Sequence, residues 1–417
     1  MSMSEIFRFS NLEDKVAGTL IFVFPVFFLT IKGHSNLVAG LIFLTSLLCI
    51  SANPRDYLCK QDRLFWILWS VLAFPFVAEL IVQCGRGQVV AATLDAPSRF
   101  FLASVVFIFL TRVRIDTIAL LAKGSALSVV ITSLSVLMIR DYYWGHRAAT
   151  YFVDPISLPV YLLACLAIAS YSLLASRKKI LYTIVSIVLV SLATIVCLLS
   201  YSRTSWLAFL AFLFVLLFLI RRYELRIFAW GSLISIVSVI WLFNGADLVI
   251  SRLHSVYVDL LALQKGSLDF SATTIRVGLA WMDWKLFMAF PLGVADGALP
   301  PIEWFASNGM EVSEILYDQK LLSGSHNEIL AHLSRKGLLG IPTIICLFLF
   351  PLCYFLIEAK KSGPVGCVGK SALLFLVVIF VSSLLIQVLN LKMTATFYSF
   401  SIAIFFAACY RTRELKS

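Results

Sequence analysis

The sequence predicts an all-α polytopic membrane protein with about twelve transmembrane helices and one large loop outside the membrane. Of its 417 residues, 60% are hydrophobic and only 14% are charged, and the mean hydropathy is +0.94. A soluble domain cannot bury that much apolar surface, so a bilayer must be the solvent for most of the chain. The apolar runs are long enough to cross a bilayer, and one long polar stretch interrupts them near residues 245–325.

The first apolar run follows Arg8 and Lys15 and leads into further apolar runs. Because no small-residue cleavage site follows it, we predict a transmembrane helix there and not a removed signal peptide. The runs of spanning length lie near residues 16–31, 36–52, 64–83, 99–111, 117–139, 155–176, 180–199, 205–220, 227–244, 337–357, 371–390 and 394–410. Some runs are short or closely spaced, so the predicted number of spans is about ten to twelve.

Lysine and arginine are concentrated in every second loop, for example in segments 177–179 and 221–226. By the positive-inside rule, these loops and both chain termini lie in the cytoplasm and the long polar stretch lies outside. In a bacterium the outer side is the periplasm, so we expect a multi-pass protein of the inner membrane. The net charge of +11 is what this topology requires, and nucleic-acid binding is not expected.

This topology divides the chain into three regions. Residues 1–244 contain transmembrane helices 1–9, and residues 326–417 contain transmembrane helices 10–12 and a cytoplasmic tail. Between them lies a periplasmic loop domain, residues 245–325, which we call the loop domain.

The loop domain contains its own helical pattern. Apolar side chains recur at close to helical spacing at Ile275, Leu279, Met282, Leu286 and Phe290. This predicts an amphipathic helix that lies on the membrane or caps a cavity, with Arg276, Asp283 and Lys285 away from the apolar stripe. Prolines and glycines after residue 290 predict a loop.

We expect no metal and no cofactor at the functional site. The nine cysteines are scattered without a CxxC pair, which argues against a disulfide framework and against a zinc site. The acidic residues of the loop domain form no DxD cluster, and the chain has no GxSxG nucleophile elbow. Neither a metal-dependent glycosyltransferase nor a serine hydrolase is therefore favoured.

Four arginines at the predicted outer face are candidates for binding an anion, namely Arg99, Arg147, Arg203 and Arg276. A planar guanidinium matches phosphate with two parallel hydrogen bonds. The alternative is that each arginine only reaches from the membrane interface to lipid headgroups or water. If these arginines converge on one side of a helix bundle, they form an anion site.

His326 lies where the loop domain gives way to the next apolar run. An imidazole with an ordinary pKa near 6.5 is available in its neutral form as a proton acceptor around neutral pH. The alternative is that a histidine at the start of a helix helps to satisfy the first backbone groups. Both interpretations stay open on the sequence alone.

These residues in their local sequence resemble the O-antigen ligases, which belong to a wider ligase and polymerase superfamily of bacterial polysaccharide enzymes. The segments that carry the resemblance are Ser202–Ser205, Thr273–Gly278, Gly324–Leu330 and Lys336–Gly340. The similarity extends over nearly the whole chain in the number of spans, the single late loop and the order arginine, arginine, histidine.

The resemblance implies a C-type glycosyltransferase-like architecture and a metal-independent, inverting transfer at the periplasmic face. The partners it implies are an undecaprenyl-diphosphate-linked O-antigen as donor, lipid A–core as acceptor, and membrane lipids. By the same resemblance, Arg203 and Arg276 hold the donor diphosphate and His326 faces the acceptor hydroxyl, with Arg147 and Arg99 as further candidates.

Two relatives of the ligases remain alternatives, an O-antigen polymerase and a protein O-oligosaccharyltransferase, because they use the same lipid-linked donor. The sequence around His326, with Asn327 and Glu328, favours the ligase. A transporter or flippase is less favoured, since the two halves show no repeat and the apolar runs contain few ionisable residues.

Overall fold

The computed structural model describes residues 3–59, 61–87, 89–139, 147–174, 179–219, 223–242, 245–265, 271–294 and 299–414. Within these ranges the secondary structure is helical, without any strand. Eight helices in the described part are long and apolar enough to cross a membrane: His34–Ala52, Arg63–Gly85, Ala91–Leu110, Thr117–Met138, Ile180–Ser200, Glu328–Ala359, Pro364–Ser383 and Lys392–Arg413. The protein is therefore an all-α protein of the multi-pass membrane class.

The helices before the loop domain are α1 (Met3–Val26), α2 (His34–Ala52), α3 (Pro54–Leu58), α4 (Arg63–Gly85), α5 (Ala91–Leu110), α6 (Thr117–Ile139), α7 (Ser157–Leu174), α8 (Lys179–Ser200), α9 (Arg203–Leu219) and α10 (Tyr223–Leu242). Those that follow are α11 (Gly245–Gln264), α12 (Ala272–Ala289), α13 (Ile302–Ser307), α14 (Glu314–Ser323), α15 (Glu328–Lys336), α16 (Gly340–Ile344), α17 (Phe350–Ala359), α18 (Pro364–Ser383) and α19 (Lys392–Glu414). A 3-10 turn links α15 to α16, and a π-helical segment links α16 to α17.

Every apolar run predicted from the sequence overlaps one or more of these helices. Three helical segments of the described part are apolar but shorter than a full span: Ser157–Ser170, Arg203–Leu219 and Trp230–Trp241. The prediction of about twelve spans is therefore supported by eight helices and stays a prediction for the others.

The centre of the bundle is formed by α7, α18 and α19, and residues 158–170 of α7 are all buried. Of the most apolar window of Lys392–Arg413, 94% is buried inside the protein. Helix α19 packs against α5, α18 and α2, and α18 packs against α7, α17 and α9. On the outside of the bundle, large apolar side chains such as Phe218 (77% exposed) and Met138 (85% exposed) point away from the protein. This arrangement suits a lipid solvent, because hydrocarbon chains are as apolar as the side chains that face them.

The loop domain has a separate small core, which consists of Leu279, Met282, Leu286, Phe305, Met310 and Leu316. Helix α12 supplies half of these side chains, as its apolar stripe predicts. Ser271 caps its first turn in a capping box with Thr274, which satisfies backbone groups that a helix start leaves without partners. The predicted helix in this part of the loop domain is therefore confirmed.

One prediction for α12 was wrong. Asp283 was expected away from the apolar stripe, but its side chain is fully buried. It lies four residues after Leu279 and three before Leu286, so a helix places it on the same face as both. A buried carboxylate needs partners, and Asp283 has them in Lys320 and Ser334.

Backbone contacts join the loop domain to α15. The backbone N–H of Val294 donates to the carbonyl of Ser334, and the N–H of Leu338 donates to the carbonyl of Pro291, both at 2.8 Å. Gly337 adopts φ 56°, and a Cβ there would overlap the carbonyl oxygen of Pro291. A glycine is thus required at position 337 because the backbone of Pro291 approaches it closely.

Candidate anion site and general base

Arg203 joins three helices at the end of the bundle that adjoins the loop domain. It is the first residue of α9, and its guanidinium donates to Asp259 Oδ2 (2.8 Å), Thr273 Oγ1 (2.8 Å) and Ser255 Oγ (2.6 Å). The side chain as a whole remains 30% exposed. An arginine that only reached toward lipid headgroups would not have this set of protein partners.

The turn before Arg203 is strained. Tyr201 has φ 54° and is the only non-glycine residue of the described part with a positive φ. Such a left-handed conformation costs an L-residue about 1–2 kcal/mol, and strain of this kind is concentrated at functional sites. The turn connects the end of α8 to the start of α9, and it therefore determines the position of the Arg203 side chain.

Asp259 of α11 acts as the counter-charge of Arg203. Its side chain is only 6% exposed. Burial alone would raise the pKa of Asp259, but hydrogen bonds from Arg203, Thr273 and Ser271 outweigh burial and lower it. The carboxylate is therefore ionised at neutral pH and orients Arg203 while offsetting part of its charge.

Arg276 lies one turn beyond Thr273 on α12 and is half-buried. Burial, then the charge of Arg203, then the charge of Arg147 lower the pKa of Arg276. Within the described residues, Arg276 makes no hydrogen bond and no ion pair. A guanidinium placed among like charges, with no acidic partner in the described residues, is a group that a bound anion would stabilise.

Arg147 completes this group, which we call the arginine cluster (Arg147, Arg203 and Arg276). The Nε atom of Arg147 donates to the backbone carbonyl of Ser200 at 2.9 Å, at the end of α8. The neighbouring backbone N–H of Ala148 donates to Leu199. These bonds fix the segment on the same turn that precedes Arg203.

Arg99 has different partners. Its guanidinium is paired with Asp95 Oδ1 at 2.6 Å, and Lys392 approaches Asp95 Oδ2 at 3.0 Å. Among the described residues, none of these contacts links Arg99 to the arginine cluster. The structure thus brings Arg147, Arg203 and Arg276 together and leaves Arg99 in a separate ion pair.

His326 lies in the short connection between α14 and α15. The helix start is capped by the Asn327 side chain, whose Oδ1 accepts from the N–H of Leu330 at 2.9 Å. The imidazole itself makes no hydrogen bond to any described residue. The capping role that the sequence left open for His326 therefore belongs to Asn327.

The charges around His326 favour its neutral form. Burial, the charge of Arg276 and the charge of Lys320 lower its pKa, in that order of importance. The imidazole is thus close enough to Arg276, a member of the arginine cluster, for its charge to act on it. A neutral imidazole beside a group of guanidiniums can accept a proton next to a bound anion.

Comparison with known protein families and with curated proteins gives no match to this chain. The described residues contain no group of three or more histidine, cysteine or acidic side chains that could hold a metal ion.

Three residues near the site were not among the sequence candidates: Asp259, Asp283 and Lys320. For Asp283 the sequence did contain a signal, since the residue lies on the apolar face of α12. Asp259 and Lys320 gave none, because each contacts a partner from a different helix.

Proposed function

We propose that this protein is a membrane glycosyltransferase that uses a lipid-diphosphate-linked glycan as its donor, and specifically an O-antigen ligase. The observation that supports the proposal is the arginine cluster, with Arg276 unpaired among the described residues and His326 adjoining it. The ligase assignment further depends on the resemblance of the segments around Arg203, Arg276 and His326.

The arginine cluster fits the donor side of such a reaction. When the glycosidic bond breaks, the lipid diphosphate leaves with growing negative charge. Guanidiniums held in a partly dry site stabilise that charge without a metal ion, and one well-placed donor contributes about 10²–10³-fold in rate. Arg203 is held in place by Asp259, while Arg276 keeps its hydrogen-bonding capacity for the diphosphate.

His326 fits the acceptor side. In the proposed step the acceptor hydroxyl attacks the anomeric carbon, the bond to the diphosphate oxygen breaks, and the imidazole takes the hydroxyl proton. A base in this role contributes about 10²–10⁴-fold. A single displacement of this type inverts the anomeric centre. The lowered pKa keeps His326 ready to accept a proton at neutral pH.

The test is glycan transfer by the purified full chain in lipid nanodiscs, with undecaprenyl-diphosphate glycan, lipid A–core and EDTA. We expect transfer in the wild type and a loss of at least about 10²-fold in His326→Ala. His254→Ala is the matched control, because His254 lies exposed on α11. Normal transfer by His326→Ala would remove the base role.

The products also separate the alternatives. Longer glycan on the carrier, with none on lipid A–core, would identify a polymerase. Glycan on a serine or threonine of an added acceptor protein would identify a protein O-oligosaccharyltransferase. Either result would overturn the ligase proposal while keeping the donor chemistry of the arginine cluster.

A further inference from the structure

A buried ionic network lies directly beside His326. The Nζ atom of Lys320 donates to Asp283 Oδ1 at 2.5 Å and to the hydroxyl of Ser325 at 2.6 Å. Ser334 donates its hydroxyl to the same Asp283 oxygen at 2.6 Å. The network thus joins α12, α14 and α15 to the residue that precedes His326 in the chain.

This network is costly to bury. The Asp283 side chain is fully buried and that of Lys320 is only 9% exposed. Taking an ion pair out of water requires several kcal/mol of desolvation, which a well-placed pair only about compensates. Apolar residues of similar size would hold α12, α14 and α15 together equally well. Packing alone therefore does not explain why charged groups occupy this place.

We propose that Lys320 is a positioning residue for His326. Its bond to Ser325 fixes the turn that presents the imidazole, and its ammonium charge adds to burial and to the charge of Arg276 in favouring the neutral imidazole. Asp283 holds Lys320 in place. The inference rests on the proposed function in one respect, namely that the neutral imidazole serves as a base.

Charged groups lie on the three helices that meet near His326, namely Arg276 and Asp283 of α12, Lys320 of α14, and Glu328 and Arg335 of α15. Two of them, Arg276 and Lys320, act on its imidazole. Asp283 is compensated by Lys320, while Glu328 accepts a hydrogen bond from the N–H of Leu389 and lies 3.3 Å from His332 Nε2. Arg335 lies close to Gly324, two residues before His326. Arg276 is proposed to be neutralised when the diphosphate binds, so Lys320 is the charge that persists through the reaction.

The consequence for pH dependence has a definite sign. A base must be unprotonated, so transfer falls as the pH drops through the pKa of His326. Burial, the charge of Arg276 and the charge of Lys320 lower that pKa, which extends activity toward acid pH. Removing the Lys320 charge raises the pKa, so the acid limb of the profile moves to higher pH.

The direct measurement is NMR titration of His326 in the full chain, labelled at histidine and reconstituted in nanodiscs. The chain has five histidines, and comparison with His326→Gln assigns the signal. We expect Lys320→Met to shift the midpoint of His326 upward and Lys320→Arg to keep it near the wild type. Lys285→Met is the control, since it removes the same charge from a side chain that contacts Trp281.

A double variant separates the loss of the Lys320 charge from misfolding caused by an unpaired buried carboxylate. Lys320→Met leaves the Asp283 carboxylate without its ammonium, whereas the double variant Asp283→Asn with Lys320→Met removes both charges and leaves none buried alone. We expect an upward shift in the double variant too, smaller than in Lys320→Met because the opposing charge of Asp283 is removed as well. In the transfer assay, both should lose about two- to tenfold more activity at mildly acid pH than at alkaline pH, relative to the wild type.

The outcomes separate this inference from the proposed function. An unchanged His326 midpoint in Lys320→Met and in the double variant would overturn the role of Lys320. A shifted midpoint in a protein without any glycan transfer would support the coupling of Lys320 to His326 and contradict the proposed enzyme activity.

Discussion

At the scale of single residues, the main feature is how differently two arginines of one cluster are held. Arg203 has three protein partners, including the ionised Asp259. Arg276 has no hydrogen-bond or ion-pair partner among the described residues. The first is oriented before any ligand arrives, and the second keeps its donors for the ligand. We therefore expect Arg276 to contribute more to donor binding than its charge alone would provide.

Replacing Arg276 by lysine tests this directly. Lysine keeps the charge but loses the planar fork, so we predict about a tenfold or larger fall in kcat/KM, seen mainly as weaker use of the donor. Steady-state transfer kinetics at varied donor concentration provide the measurement. Arg99→Lys is the comparison, because Arg99 is paired with Asp95 away from the cluster. Full activity of Arg276→Lys would contradict bidentate binding of the phosphate by Arg276.

At the scale of secondary-structure elements, α12 and α15 hold the site together. Helix α12 supplies Thr273 to Arg203, presents Arg276, and buries Asp283. Helix α15 starts beside His326 and is fastened to the loop domain through the carbonyls of Ser334 and Pro291. Because both helices contact each other, a change in their packing moves the base relative to the arginine cluster.

Gly337 at the end of α15 provides a test of this packing. In Gly337→Ala the new Cβ would overlap the carbonyl oxygen of Pro291, and the alanine would have to keep the positive φ of the glycine. We therefore predict a destabilisation of about 2–4 kcal/mol and reduced transfer. Gly309→Ala is a matched control, because Gly309 has φ 72° and no atom within 4 Å of the new Cβ. The midpoint of thermal unfolding, followed by tryptophan fluorescence, should fall further for Gly337→Ala. Equal shifts would show that the contact with Pro291 is unimportant.

At the scale of the whole molecule, the bundle is arranged for a lipid solvent. In the described residues its most buried helices are α7 and α19, while apolar side chains of α9 and α10 face outward. The arginine cluster, His326 and the loop domain adjoin one another at one end of the bundle. The proposal requires that this end faces the periplasm, since the donor glycan is used there.

Two native cysteines can report on this orientation. Cys59 and Cys84 are both exposed. Cys59 lies in the segment just before α4, and Cys84 lies near the other end of that helix. A membrane-impermeant maleimide added to intact cells should label the wild type and Cys59→Ser, but should label Cys84→Ser much less. Labelling of all three after permeabilisation is the control. Labelling that instead depends on Cys59 would invert the topology and contradict a periplasmic site.

The membrane class, the positions of the apolar helices and the helix at Ala272–Ala289 could all be predicted from the sequence. These are local properties, because length, hydrophobicity and spacing along one helix can be counted on the chain. The sequence also marked Arg147, Arg203, Arg276 and His326 as residue types suited to anion binding and proton transfer.

Only the tertiary structure decided which of these residues meet. The contacts of Arg203 with Asp259 and Thr273 bridge 56 and 70 positions of the chain, and that of Lys320 with Asp283 bridges 37. The spacing of residues along one helix does not predict contacts between residues so far apart in the chain. For this reason the sequence predicted neither the separation of Arg99 from the cluster nor the role of Lys320. Charges act through space, and it is the packing of α9, α11, α12 and α15 that sets the distances between them.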